Sequence, residues 1–257
     1  MYLNVLLFLL QFSYTLSNIC TPNALNKVWD DGSNVRSVTS CYGGHWAIAV
    51  ADQVKSDAKR KDVLFDSILS GQQLISCVHN NWGCFLSSPG SLLYSFNYLK
   101  SSRGLQSNSD YKWKGKWKKC RAEPNGKHLE RDQVMVENIY QYLANNEPCM
   151  ADHVLSSGPL AVCLTVGSQI TVDENTILSA TSCSAPFYIF GVPIYTKKTV
   201  CGQIIGINLD GENKFWTFRS SAGSQWNNVM IEYGSNACSI SQNPIFTDVL
   251  LKESGEF

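Results

Sequence analysis

Cys41-Tyr-Gly-Gly-His45-Trp46-Ala-Ile-Ala-Val-Ala-Asp-Gln-Val54 is the stretch whose reading decides the fold. Apolar residues at 46, 47, 50, 51 and 54 recur with the period of a helix and predict one buried face. Cys41 and His45 stand one helical turn apart at the start of that helix, where the macrodipole favours a thiolate. A thiol beside an imidazole is one arrangement for nucleophilic catalysis.

Working outward, further stretches follow in a fixed order. Val35-Arg-Ser-Val38-Thr-Ser-Cys41 leads in, and Leu69-Ser-Gly-Gln-Gln-Leu-Ile-Ser-Cys77 follows the helix. Gly83-Cys84-Phe-Leu-Ser-Ser-Pro89, Tyr98-Leu-Lys, Gly104-Leu105, Tyr111 and Cys120 come next. Asn146-Glu147, Ser157-Gly158-Pro159-Leu160-Ala-Val and Phe215-Trp-Thr-Phe-Arg-Ser220-Ser-Ala222-Gly-Ser-Gln-Trp226 complete the series. Together they resemble the papain-like cysteine peptidases, on the branch of papain and cathepsin L. That family's nucleophile segment reads Cys-Gly-Ser/Ala-Cys-Trp, with the second Cys as the attacking thiol. The resemblance implies an α+β, two-lobe fold. A helical lobe spans about 40–130 and a β-rich lobe, with a barrel-like antiparallel sheet, about 131–250, with a cleft between them.

By the same resemblance, the nucleophile position holds His45, directly before Trp46 and one residue further from Cys41 than the family spacing. The oxyanion-hole position holds Val38, the base position Gly202, and the position that orients the base Ser220. Ala222 stands at the shielding Trp, Leu86 and Ser87 at the paired glycines of the cleft wall, and Trp226 further along that wall. These departures lead to the expectation of a pseudopeptidase: not an enzyme, but a protein acting by binding as a decoy or extracellular interaction module. The alternative is an active cysteine-type endopeptidase using a Cys41/His45 dyad. A further alternative is a structural or storage protein.

The family also implies disulfides Cys41–Cys84 and Cys77–Cys120, with Cys238 joined to Cys183 or else to Cys201. It assigns no partner to Cys20, Cys149, Cys163 or Cys201, and Cys163, in an apolar run, reads as a small buried residue. Ten cysteines behind an N-terminal apolar core at Tyr2–Leu10 read as an oxidising compartment. The core is too short to span a bilayer and reads as a signal peptide over 1–17, with the papain-like domain over 18–257. The expected location is therefore secreted, or the lumen of the secretory or endolysosomal pathway, without membrane insertion after cleavage. The family's long inhibitory pro-region is expected to be missing.

Lys+Arg and Asp+Glu number 21 each, so net charge gives no case for nucleic acid. Lys112-Trp-Lys-Gly-Lys-Trp-Lys-Lys119 is a local basic and aromatic run, read either as a solvated loop or as a glycan or anion site. His45, His79, His128 and His153 lack metal-ligand spacing, so neither metal nor cofactor is expected. The expected partner is a protein or peptide, and the chain is expected to be a monomer. Pro89–Lys100 reads as a second helix. Pro159–Val166, Gln203–Leu209, Phe215–Arg219 and Val229–Tyr233 read as strands, and Thr171–Thr199 as an insertion on the β lobe.

Overall fold

The computed structural model describes residues 20–22, 24–29, 44–62, 68–78, 91–102, 104–121, 133–168, 170–173, 176–185, 187–190, 192–194 and 196–252. Helix α1 (His45–Arg60) carries the predicted apolar spacing. It is buried nearly all round in its first half, because β-strands flank it on one side and two helices on the other. Lys59 and Arg60 occupy its last turn, where cations suit the dipole. Helix α2 (Gly71–Cys77) starts at Ser70, whose side chain accepts from Gln73 N–H at 3.1 Å. Helix α3 (Leu92–Ser101) starts at Ser91, which caps Tyr94 N–H in the same way. The expected helix from Pro89 thus begins at Leu92, and Pro89 lies outside the described residues.

Strand β1 (Asn26–Val28) precedes these helices, and β2 (Gln133–Gln141) follows them. Helix α4 (Glu147–Ser156) is capped by Asn146 and has Pro148 in its first turn, where a missing N–H costs nothing. Then come β3 (Leu160–Gly167), β4 (Ile177–Leu178), helix α5 (Ala180–Ser184), β5 (Phe187–Ile189), β6 (Val192–Ile194), β7 (Lys197–Asn208), β8 (Phe215–Arg219), β9 (Val229–Glu232) and β10 (Ile245–Lys252). The segment read as an insertion supplies β4, α5 and the separate β5–β6 hairpin.

The main sheet runs β2-β10-β3-β7-β8-β9-β4, and β1 also pairs with β7. Every pairing in it is antiparallel except β4 with β9. The expected barrel-like closure is therefore corrected: the sheet is open, with β2 and β4 at its two edges. Among the described residues no ladder joins these two edges. Strand β7 is the central organiser. Its first half pairs with β3 from Lys197↔Gly167 to Ile204↔Leu160, while its second half pairs with β8 and β1.

Two cores lie against this sheet. In one, Trp46, Val50, Val54, Leu74, Phe96 and Leu99 pack against Ala161, Cys201, Ile245 and Val249. In the other, Met150, Val154, Leu164, Trp216, Phe218 and Trp226 pack together. A buried polar seam joins α1 to the sheet. Gln53 donates to the Pro159 carbonyl (2.9 Å) and to Asp57 (3.1 Å), and accepts from Gln203 (3.0 Å). Asp57 accepts from both the N–H and the hydroxyl of Thr247, at 2.9 and 2.7 Å. Each group in this seam has a partner, as buried polar atoms require.

Candidate functional site

The start of α1 meets β7 at Cys201. The backbone N–H of Cys201 donates to His45 Nδ1 at 3.0 Å. Its carbonyl accepts from the Ser220 hydroxyl at 2.6 Å, and its sulfur is bonded to Cys163 on β3. His45 is buried, which lowers its pKa to about 4, so the imidazole is neutral at ordinary pH. With Nδ1 accepting, the hydrogen-bond network assigns the ring proton to Nε2. The imidazole thus has a donor to offer, able to steady a thiolate or an oxyanion.

Of the residues singled out by sequence, His45, Gly202 and Ser220 are brought together around this one residue of β7. Gly202 follows Cys201 and lies opposite Val162 of β3. Ser220 directly follows β8: its hydroxyl also accepts from Ala222 N–H (3.2 Å), and its own N–H donates to the Trp226 carbonyl (2.9 Å). Trp226 is buried with its ring edge-on to Phe218. Ala222 packs against the same core. Val38, Cys41, Cys84, Leu86 and Ser87 lie outside the described residues, as does the Cys41–Cys84 pairing.

Sequence reasoning missed Cys201 and Cys163 as parts of this site. Cys163, read as a small buried residue, is instead bridged to Cys201, which removes Cys201 as a partner for Cys238. The missed signal is that two β-type runs each carry one Cys, and antiparallel pairing sets the two directly opposite. Cys77 is joined to Cys120, Cys183 to Cys238, and Cys20 to Cys149. His153 lies far along the chain, buried beside Phe246 and Tyr142, its pKa also lowered to about 4, chiefly by burial. Among the described residues no group of three or more His, Cys, Asp or Glu could hold a metal ion. None of the described helices is long and apolar enough to cross a membrane.

Two lobes of this kind, with a helix start facing a sheet, define a papain-like fold. The recombinant stem bromelain precursor superposes with a TM-score of 0.64 at 20% identity, covering 87% of this chain and 70% of that one. A Carica candamarcensis cysteine protease gives 0.59 at 19% identity, covering 87% and 98%. The model of the papain family cysteine proteases matches residues 27–247, and the chain belongs to that family. Among curated proteins, Pro-cathepsin H of Mus musculus is 24% identical over 180 residues, covering 67% of this chain and 49% of that protein. A cathepsin L-like proteinase of Phaedon cochleariae is 26% identical over 195 residues, covering 75% and 53%. The chain spans about half the length of the curated relatives it matches.

These findings correct the expectation of a chain without enzymatic activity. The family matched is one of cysteine proteases, and the relatives carry the names of cathepsins and proteinases. The disulfides and the cathepsin-like relatives suggest the secretory or lysosomal pathway.

Proposed function

We propose that this protein is a cysteine-type endopeptidase of the papain class, secreted or held in the endolysosomal lumen, that acts as a monomer on extended polypeptides. The single observation that carries the reading is the family match across residues 27–247. In this proposal Cys41 is a free thiol, in place of the Cys41–Cys84 bond that the family resemblance implies, and His45 supplies the imidazole. The neutral ring of His45 presents Nε2–H while the Cys201 amide holds Nδ1. A donor aimed at a thiolate favours its charged form and so lowers the thiol pKa. The same donor serves the developing oxyanion, where positioned N–H groups act most strongly.

The test is turnover of an unfolded protein and of a dipeptidyl amide by the purified chain, under a thiol reductant, from acidic to neutral pH. We expect hydrolysis that a thiol-directed epoxide stops, with the adduct on Cys41, and a loss of about 10²-fold or more in His45→Ala, which removes the N–H donor. Absence of turnover over that whole range overturns the reading, as does hydrolysis indifferent to the epoxide.

A further inference from the structure

The peptidase reading leaves the lysine-rich loop between Tyr111 and Arg121 unused. Lys112, Lys114, Lys116, Lys118 and Lys119 are all exposed, and so is Trp117, at 64%. Among the described residues none of these five ammonium groups is paired with a carboxylate. Five of the chain's 21 cations thus fall within eight positions of a protein whose formal net charge is zero. Attraction to a polyanion is therefore local to this loop.

The loop is held in place by its base. Gln72 of α2, itself buried, accepts from Lys114 N–H at 2.8 Å and donates to the Lys116 carbonyl at 3.0 Å. One side-chain amide therefore clamps both sides of the turn at Gly115, whose φ of 62° is a left-handed value that suits glycine. At the loop's start the buried Tyr111 backbone carbonyl accepts from Ser70, and the Tyr111 hydroxyl accepts from Arg121 N–H at the loop's end. The Arg121 guanidinium lies over the Tyr111 ring at 4.8 Å, and Cys120 is bonded to Cys77 at the end of α2. Ordering cost has already been met before any ligand arrives, and pre-organisation of that kind raises affinity.

We infer that this loop is a binding site for a sulfated polysaccharide. Lysines are point charges that pair with sulfate or phosphate without a demand for planar, two-pronged geometry. The exposed indole of Trp117 offers an apolar face on which the C–H face of a sugar ring can stack, its N–H free for a hydroxyl. The choice of a sulfated sugar over a nucleic acid rests on the proposed secretory placement, and the binding itself does not depend on peptidase activity.

The experiment is chromatography of the purified chain on immobilised heparin, with calorimetric titration of heparin and of its desulfated form. We expect retention that weakens as salt rises, because counterions are released on binding. We expect no titration heat with desulfated heparin. The triple variant Lys116→Ala, Lys118→Ala, Lys119→Ala should bind about tenfold more weakly or worse. Trp117→Ala should weaken heparin binding while leaving retention on a sulfonate cation exchanger unchanged. Circular dichroism of each variant checks that the fold is kept. Gln72→Ala, which leaves every charge in place but removes the clamp, should also weaken binding. The inference is overturned if the wild type is not retained, or if the triple variant binds as the wild type does. It is also overturned if single-stranded DNA or anionic lipid vesicles bind as tightly as heparin.

Discussion

Gly202 lies on β7, tight against the end of β8. A Cβ there would collide with the Arg219 carbonyl oxygen and stand 2.7 Å from the Phe218 ring and 2.9 Å from the Ser220 Cβ. Backbone cannot give way as a flexible side chain can, so overpacking of about 1–3 kcal/mol is the expected cost of Gly202→Ala. A lowered urea midpoint with an unchanged slope would register it, and an unchanged midpoint would refute the close approach. An alignment gives position 202 its role by counting back along a strand. It does not contain the bulge between Ile204 and Gly206 that sets how β7 meets β8. His45 was legible as a candidate from Trp46 beside it, yet its partner was not. The bond to Cys201 spans 156 positions and is made by a backbone N–H, which leaves no mark in residue identity.

Helix α4 shows the same limit for a whole element. Its existence follows from the Asn-Glu-Pro start, where cap, acid and proline each suit the first turn. What Glu147 does there depends on residues far along the chain. Its carboxylate accepts from the Trp216 indole N–H (2.8 Å), Gly234 N–H (2.9 Å) and Asn236 N–H (2.6 Å). The carboxylate thus pins the turn after β9, including Asn236 in its left-handed conformation, to the helix start. Glu147→Ala would strand the buried Trp216 N–H and leave two part-buried backbone donors without their acceptor, for a loss of about 2 kcal/mol or more in urea unfolding. Glu147→Gln, which keeps the shape and only part of the acceptor capacity, should lose less. Equal losses in the two variants would argue that packing, not hydrogen bonding, holds the turn. Helix α1 was the most legible element, since five apolar positions at helical spacing left little choice. The edges of the sheet were the least legible, because strand propensity says nothing of which strand lacks a neighbour.

The molecule as a whole carries buried ionisable groups that pull stability in opposite directions with pH. Burial raises the pKa of Asp57 to about 7 against the donors around it, so its contribution is present at low pH and is lost as pH rises towards 7. His45 and His153, both lowered to about 4 by burial, contribute stability at neutral pH that is lost as pH falls from the ordinary histidine range towards 4. Two histidines outweigh one carboxyl, so stability should rise across mildly acidic pH and turn over near neutrality. Urea midpoints taken over that range measure it. Asp57→Asn should steepen the rise and remove the turnover, and a flat profile in the wild type would contradict the burial of these groups. The Cys20–Cys149 bond acts on the same scale. It spans 129 positions and closes β1, the first three helices and β2 into one covalent ring. Such a closure narrows the unfolded chain by about 5 kcal/mol in the chain-entropy model. A protease that nicks the backbone anywhere in that ring releases nothing: both ends stay tethered, and the fragments separate only after a reductant follows the cut. Beyond Cys149 the ring offers no such insurance, so scission there is held by the Cys163–Cys201 and Cys183–Cys238 bonds alone where they straddle the break. A nick from 163 to 238 is still straddled by one of these bonds, so the two parts differ only where no bond does, between 150 and 162 and after 238, and there a cut frees an end.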